Sequence, residues 1–254
     1  MSTAHEEQYL EIHTALPASA AADDAFLAIK KLTRGHYGPN ILLIAAKHNK
    51  RAMSRDATSR LTIDPARSHL NEVLRGPATA DGVARLARDK MKAAGIDKPR
   101  KNAVLGLELV FSLAPGHPVS DERAYFEQCW RWSAQDLCGE ENVLSVDIHR
   151  DEAAVHCHVL VLPLVDGRLV GSDLMGNQTT LLQRMERFYQ AVAIPARLRP
   201  PRRARSRSDR VAAARQLMRH LEKRGDPILK SQLWPVVYRQ MMKGPEPFAQ
   251  LLGI

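Results

Sequence analysis

The chain has 254 residues, is 44% hydrophobic and carries a formal net charge of +9. This length suits one sizeable domain with an appendage, and this composition is sufficient for a hydrophobic core. No apolar run approaches the roughly 20 residues that span a membrane, and the first residues lack the basic start and apolar stretch of a signal peptide, so we expect a cytoplasmic protein. The three cysteines form no CxxC pair, which predicts free thiols in a reducing compartment.

The first part of the chain predicts an extension, a strand and a helix. Residues 1–24 end in an alanine-rich stretch with little to bury, so we expect a loosely docked N-terminal extension. Residues 26–32 are typical of a strand, and Gly38-Pro39 predicts a turn. Residues 40–51 have the apolar spacing of a helix.

The rest of the chain alternates helical and strand-like segments, after a polar, turn-prone stretch at 64–71. Helices are predicted at 81–92, 120–137, 179–193, 208–223 and 227–242, and strands at 102–113, 143–148 and 159–164. This order favours an α+β fold with an antiparallel sheet over a parallel, doubly wound sheet. We expect the main domain to span residues 25–196, and a basic arm with a helical region to span 197–254.

The predicted hairpin between residues 143 and 164 is the most informative segment, because it holds three histidines and a carboxylate, Glu152, within ten residues. Alternate residues of a strand share a face, so His156 and His158 point to the same side, and the connection before them returns the chain opposite His149. Three converging nitrogens that leave other coordination positions open are typical of a catalytic metal site. The alternative interpretation is a set of ordinary buried histidines that bond to backbone carbonyls.

The positive charge is concentrated near the C-terminal end. Residues 197–224 contain eleven basic and two acidic residues, which accounts for the whole net charge. A basic arm, together with the local cluster that includes Lys47, Lys50 and Arg51, predicts contact with nucleic acid. A solvated linker is an equally good interpretation of the arm alone.

Three motifs lie in order along the chain. The first is Lys47-His-Asn-Lys-Arg51 followed by residues 63–71, the second is residues 100–108, and the third is the histidine hairpin continuing to Pro163 and residues 167–169. With these motifs the chain resembles the Mob/Pre plasmid mobilisation relaxases, the MobV group of histidine-hydrophobe-histidine (HUH) endonucleases, over roughly residues 26–195. The resemblance implies an HUH-type relaxase fold, with a central antiparallel sheet of the ferredoxin-like or palm-like kind, a split βαβ unit and flanking helices, plus a short C-terminal helical region.

The resemblance also implies a reaction. The family cuts one DNA strand at an origin of transfer during plasmid mobilisation, remains attached to the 5′ phosphate and later reseals the strand. Most relaxases use a tyrosine nucleophile, but in this group it is a histidine, and His48 stands at the matching position. Attack of a neutral imidazole on phosphorus gives a phosphoramidate, whose high-energy P–N bond makes resealing easy. Tyr37, in the turn before the helix, is the competing nucleophile.

A divalent cation held by His149, His156 and His158 is implied by the same resemblance, with Mn²⁺ or Mg²⁺ as the working ion. Nitrogen ligands discriminate against Mg²⁺, so Mn²⁺ is the better match, while Zn²⁺ or Ni²⁺ could occupy the site in a purified sample.

Other polar residues complete the expected site. Arg51 follows His48 by three residues, so we expect it on the same helix face, where it could hold a phosphate or form a surface ion pair. Glu108 and Glu152 are expected to accept a proton from His48 or to orient a metal ligand. The sequence does not decide which carboxylate has which role. Asp151 is expected to be a hairpin turn residue. The residues expected to contact DNA, with loop organisation as the alternative for those in 63–71, are Lys47, Asn49, Arg67, Ser68, His69, Asn71, Arg202 and Arg203.

The chain departs from the family pattern in a longer N-terminal extension, in Val155 where the family usually has proline, and in a very short C-terminal region. Because that region carries dimerisation and membrane association in many relatives, the oligomeric state and any coupling to a transfer apparatus stay open. Two other functions also stay open: a DNA-binding regulator that occupies an origin without cutting, and a rolling-circle replication initiator or another metal-dependent phosphodiesterase.

Overall fold

The computed structural model describes residues 24–53, 63–200, 207–243, 248, 249 and 252. The strands are β1 Ala25–Thr33, β2 Glu72–Arg75, β3 Val104–Leu113, β4 Val143–His149, β5 Val155–Val161, β6 Leu164–Val165 and β7 Arg168–Leu169. The helices are α1 Arg34–Tyr37, α2 Ile41–Asn49, α3 Ala80–Ala93, α4 Glu122–Asp136, α5 Gly171–Met175, α6 Gln178–Phe188, α7 Arg207–Arg224 and α8 Trp234–Lys243. Short 3₁₀ turns lie at Pro65–Leu70, Glu140–Asn142 and Pro227–Lys230, and a π-helical turn, Tyr189–Ala193, extends α6.

The central sheet has five strands in the order β1-β3-β5-β4-β2, and every neighbouring pair is antiparallel. Since β3 and β4 both run antiparallel to β5, they are parallel to each other, with β5 between them and α4 connecting them. This is a split βαβ unit, and the predicted α+β fold with a central antiparallel sheet is confirmed. The strands β6 and β7 pair with each other in a separate small sheet.

Helices cover the two faces of the sheet. On one face, α4 and α6 with its π-helical turn pack against apolar residues of the strands, in a core that includes Phe111, Phe126 and Phe188. On the other face, α2 and α3 form a smaller core that includes Leu42 and Leu160. Helix α2 therefore packs against the sheet, and its last residues lie next to the histidines of β4 and β5.

Three predicted helix starts, those of α3, α4 and α6, agree with the structure to within two residues, and each has a capping side chain. The Asp121 carboxylate accepts a hydrogen bond from the Ala124 N–H at the start of α4, and Thr79 and Asn177 cap α3 and α6 in the same way. Each of these side chains satisfies a backbone donor that the first turn of a helix leaves without an intrahelical partner.

Strand β2 was not predicted. The residues before it were assigned to a turn, and the strand is only four residues long, at the edge of the sheet beside β4. It ends at Arg75, and Gly76 follows with a φ of +86°, where an added Cβ would lie 2.2 Å from the Leu144 carbonyl oxygen. Short edge strands carry few of the alternating residues by which a strand is detected.

The helix predicted over residues 227–242 is wrong in its first half. The chain instead forms the 3₁₀ turn Pro227–Lys230 and then α8, which begins at Trp234. Pro235 explains the break, because proline has no N–H and is tolerated in the first turn of a helix but not in its interior.

The chain divides into two compact units, residues 1–201 and 202–254, whereas the sequence placed the boundary between residues 196 and 197. The first residues of the predicted basic arm belong to the first unit. Leu198 is buried in its larger core, and the Arg199 guanidinium lies 3.0 Å from the Asp24 carboxylate. Among the described helices, none is both long and apolar enough to cross a membrane.

Candidate metal and catalytic site

Three histidines converge at the open end of the hairpin. His149 of β4 pairs in register with His156 of β5, and His158 lies two residues further along β5 on the same side. All three are buried, and their candidate ligand nitrogens lie within 4.8 Å of one another. The shortest of these distances joins His149 Nδ1 and His156 Nε2, at 3.2 Å.

The second nitrogen of each ring is held by an acceptor. His149 Nε2 donates to the Asn49 carbonyl at 2.8 Å, His156 Nδ1 donates to the Ala154 carbonyl at 2.9 Å, and His158 Nδ1 lies 3.1 Å from Glu108 Oε1. A carbonyl can only accept, so these contacts require protons on His149 Nε2 and His156 Nδ1. The nitrogens that face each other across 3.2 Å therefore both present lone pairs.

Burial disfavours the charged form of two of these imidazoles, those of His149 and His156. It lowers the pKa of His149 well below the ordinary histidine value, and the nearby His158 and Arg51 lower it further. Burial also lowers the pKa of His156, again with a contribution from His158. Neutral imidazole is the form that binds a metal ion.

The arrangement fits a metal ion. Two imidazole nitrogens that each lie about 2.1 Å from one ion are separated by roughly 3.0–3.4 Å at octahedral to tetrahedral angles. The observed 3.2 Å falls within this range, and a cation would remove the repulsion between the two lone pairs. The backbone carbonyls and the Glu108 carboxylate are the outer partners that orient histidine ligands in metalloproteins.

The C-terminal end of α2 is attached to the histidine strands through consecutive residues. Asn49 supplies the carbonyl that binds His149, and the Lys50 ammonium lies 2.6 Å from the Asp147 carboxylate of β4 in a buried ion pair. His48 precedes these residues, is 3% exposed, and has its ring centroid 5.1 Å from that of His158 and 6.1 Å from that of His149. The structure thus brings His48 and the histidine cluster into one buried site.

Arg51 does not lie on the face of α2 that the sequence predicted. The helix ends at Asn49, and Arg51 adopts a left-handed conformation with φ of +53°, so its side chain turns towards the loop between β4 and β5. Its Nη2 lies 2.5 Å from Asp151 and 2.7 Å from Glu152. Its Nη1 is buried and has no hydrogen-bond partner among the described residues.

Asp151 lies in the loop between β4 and β5, as predicted for a hairpin turn residue, but its side chain also has a structural role that the sequence did not predict. Its side chain is fully buried and accepts hydrogen bonds from Arg51, Ser68 and Asn71. Burial opposes ionisation of this carboxyl, but these donors hold its pKa below the ordinary value. Asp151 therefore joins the turn Pro65–Leu70 to the metal hairpin.

The remaining predicted residues surround this network or lie elsewhere. Glu152 Oε1 is 3.9 Å from His156 Nε2, and the Glu152 carbonyl accepts a hydrogen bond from Arg67. His69 is exposed on the turn Pro65–Leu70, and Lys47 is half-buried on α2. Neither Arg202 nor Arg203, nor the side chain of Tyr37, is within the described part of the chain.

Sequence reasoning missed the ion pair between Lys50 and Asp147. Both residues were visible, since Lys50 belongs to the first motif and Asp147 alternates with His149 along β4. A charged residue two positions before a ligand on a buried strand was the available signal, because such a charge needs a partner.

Comparisons with known proteins identify the family. A family profile described as "Plasmid recombination enzyme" (Mob_Pre) matches residues 32–195, more than half of the chain. The chain belongs to the plasmid recombination enzyme family. The sequence-based assignment is thereby confirmed.

Curated relatives support this assignment over the same region. A plasmid recombination enzyme of a Bacillus species is 30% identical over 140 residues, which cover 53% of this chain and 33% of the relative. A type 2 plasmid recombination enzyme of Staphylococcus aureus is 28% identical over 143 residues, covering 53% of this chain and 32% of the relative. The matched region thus spans about a third of the length of these relatives.

Solved structures share the fold. A MobM relaxase domain, solved bound to oriT DNA and in a Mn-bound form, superposes with a TM-score of 0.59 at 24% identity, covering 72% of this chain and 94% of that chain. A second structure of this domain with DNA gives a TM-score of 0.58, covering 75% and 99%. The chain therefore shares the fold of the MobM relaxase domain.

Proposed function

We propose that the protein is a metal-dependent DNA relaxase that nicks one strand at an origin of transfer and reseals it after plasmid mobilisation. The observation that supports this most directly is the position of His48, whose ring lies 5.1 Å from that of His158 in the same buried site as the three-histidine cluster. A nucleophile beside a candidate metal site is the arrangement that metal-assisted phosphoryl transfer requires. The similarity to relaxase domains solved with oriT DNA and Mn adds to this support.

In the proposed reaction His48 attacks the scissile phosphorus. The new P–N bond joins the 5′ phosphate to the protein, and the P–O bond to the 3′ oxygen breaks. That oxygen keeps the electron pair and takes up one proton, which balances the proton that His48 releases, and leaves as a hydroxyl. Glu108 contacts His158, so we assign it to ligand orientation, and we propose that Glu152, which contacts Arg51, accepts the His48 proton. Attack by the 3′ hydroxyl reverses the steps and reseals the strand.

His149, His156 and His158 would hold a divalent cation, which we propose to be Mn²⁺ because imidazole nitrogens suit it better than Mg²⁺. When bound, such a cation would polarise the scissile phosphate and offset its developing charge.

The DNA would be held by groups at the end of α2. The Nη1 of Arg51 and the side-chain amide of Asn49 are buried and have no hydrogen-bond partner among the described residues, so each can bind a phosphate oxygen or a base edge. Arg51 is positioned for this by Asp151 and Glu152, which hold its other nitrogens. We keep Lys47 and His69 as proposed DNA contacts, and Arg67, Ser68 and Asn71 as residues that organise the adjoining turn.

The test is to incubate the protein with Mn²⁺ and supercoiled plasmid that carries the DNA upstream of its own gene, and to score open circles and protein-linked DNA. We expect nicking and an acid-labile adduct, both of which are lost in His48→Ala. Tyr37→Phe should keep both. The matched control is His117→Ala, which removes an imidazole that lies 3.3 Å from Glu122 of α4 and is not one of the three clustered histidines.

Other outcomes would redirect the assignment. An acid-stable adduct that persists in His48→Ala but not in Tyr37→Phe would make Tyr37 the nucleophile. Cleavage without an adduct would indicate a simple phosphodiesterase. Binding of the upstream DNA without any nicking would favour a non-cleaving origin-binding regulator.

A further inference from the structure

A cleft lies at the far end of the sheet from the histidine cluster. It has a volume of about 410 Å³ and is lined by the segment between α3 and β3, by the β6–β7 hairpin and by the start of α5. Strand β3 runs from this cleft to the histidines, since Val104 lines the cleft and Val110 pairs with His158. Six residues of strand at about 3.3 Å each place the cleft roughly 20 Å from the histidine cluster. The cleft is therefore separate from the proposed catalytic site.

The cleft is lined by more positive than negative charge. Lys98, Arg100 and Arg168 line it, with Asp173 as the acidic residue among them. Across the ranges that the structure describes, none of these cations forms an ion pair. Arg184 of α6 shows the contrast, because its Nε lies 2.5 Å from Asp136. The cleft thus presents three cations that form no ion pair with a carboxylate of the described residues.

The walls of the cleft are fixed by contacts within the fold. Arg34 Nη1 donates to the Pro99 carbonyl at 2.9 Å, which holds the short segment between Lys98 and Arg100. On the opposite wall, a Cβ on Gly171 would lie 2.6 Å from Val104 Cγ1, so α5 packs directly against β3. Cations on held backbone lose less entropy on binding a ligand than cations on a free loop.

We propose that this cleft, the basic cleft, binds backbone phosphates of the DNA that flanks the cleavage site. The proposal rests on the proposed function, in which the protein acts on DNA. Cations without a carboxylate partner break no ion pair when they contact phosphate, and counterions released from the DNA drive their binding. Asn102 and Ser172 also line the cleft and add donors for phosphate oxygens, contacts that position DNA without reading its sequence. In a duplex, roughly 20 Å corresponds to about six base pairs at 3.4 Å each, so the contact lies beyond the strand segment that is cut.

The test compares two variants that lose the same number of charges. The first neutralises the basic cleft with Lys98→Gln, Arg100→Gln and Arg168→Gln. The second neutralises exposed positions of α3 with Arg85→Gln, Arg88→Gln and Lys92→Gln. Binding of a fluorescent duplex from the upstream DNA is measured by anisotropy over a range of salt concentrations, with thermal unfolding and Mn²⁺ titration as checks on the fold.

We expect the cleft variant to bind the duplex at least about tenfold more weakly than the α3 variant. The slope of the logarithm of its binding constant against the logarithm of the salt concentration should be shallower than the wild-type slope by roughly 2–3. Ser172→Tyr, which obstructs the cleft without changing its charge, should also weaken binding. Equal affinities and equal salt slopes in the two triple variants would overturn the proposal.

Two further readouts separate the possible failures. Thermal stabilisation of the wild type, but not of the cleft variant, by a free mononucleotide would reveal a small-molecule site and would also overturn the proposal. Plasmid nicking by the same wild-type preparation reports on the proposed function. If the wild type nicks DNA and the cleft variant binds flanking DNA normally, the basic cleft fails while the proposed function stands.

Discussion

The two faces of the central sheet are built from alternate residues of the same strands, yet they differ at the end of the sheet that holds the histidines. On β5, Cys157 and Val159 face the apolar core beneath α4 and α6, while His156 and His158 face the other side. On β3, Phe111 faces the apolar core and Glu108 faces the histidines. The apolar face gains stability from burial, whereas every polar group buried on the other face requires a partner to offset its desolvation. The difference teaches that one face serves packing alone, whereas the other combines the smaller core beneath α2 and α3 with the reactive groups.

The largest expected effect comes from a cavity in the apolar face. Phe111 is fully buried, and its ring centroid lies 5.2 Å from that of Phe188 and 6.3 Å from that of Trp132. We expect Phe111→Ala to lower the free energy of unfolding by about 3–5 kcal/mol, because it removes apolar contacts and leaves a void. Chemical denaturation measures the loss. Phe111→Leu fills most of the void and should cost clearly less, and equal losses in the two variants would contradict the cavity explanation.

The second effect tests whether Asp151 joins the turn to the metal hairpin. Asp151→Ala removes the carboxylate that Arg51, Ser68 and Asn71 share, and leaves the Arg51 guanidinium in a mostly buried position. We expect a loss of about 3 kcal/mol in unfolding free energy, since the removal of one partner from a buried ion pair costs on this order. Asp64→Ala, at the exposed cap of the same turn, should cost about 1 kcal/mol or less. Similar losses in both variants would show that Asp151 has no special part in holding the turn.

The sequence could predict the histidine cluster but not its surroundings. The period-two spacing of His156 and His158 places them on one face in any strand, and the short connection returns the chain opposite His149. The carbonyl of Asn49 that orients His149 lies 100 residues away in the chain, and no local pattern connects the two. The burial of Asp151 was missed for the same reason, because a buried and an exposed turn aspartate look alike in the sequence until the distant donors are known. The fold was easier to predict, since strand and helix patterns repeat over many residues, and the short edge strand β2 was the segment that lacked such repetition.

The third effect should change metal binding more than stability. Glu108 is fully buried and lies 3.1 Å from His158 Nδ1, so it orients this ring and increases the basicity of the candidate ligand nitrogen. We expect Glu108→Gln to weaken Mn²⁺ binding about 10- to 100-fold, the usual cost of losing such an outer partner. Calorimetric titration of Mn²⁺ into the protein measures the affinity. Glu127→Gln, on the exposed side of α4, is the matched control, and unchanged affinity in Glu108→Gln would leave Glu108 without a role at the metal site.

The smallest effect concerns Lys30, which pairs in register with Glu108 on the polar side of the sheet. Burial lowers the pKa of Lys30 to about 8, and the charge of Glu108 opposes this change only in part. Between pH 8 and the ordinary lysine value of 10.5, Lys30 is neutral in the folded protein but protonated in the unfolded chain. The unfolded state then binds more protons, so this residue makes the unfolding free energy rise with pH across that window.

Urea unfolding at pH 7.5 and pH 9.5 should show a smaller rise of the unfolding free energy in Lys30→Met than in the wild type. Lys31→Met, at the next and exposed position of β1, should match the wild type. If the unfolding free energy of Lys30→Met rises with pH as much as that of the wild type, the folded protein does not disfavour the charge on Lys30. The carboxylates near Lys30 would then offset the whole effect of its burial.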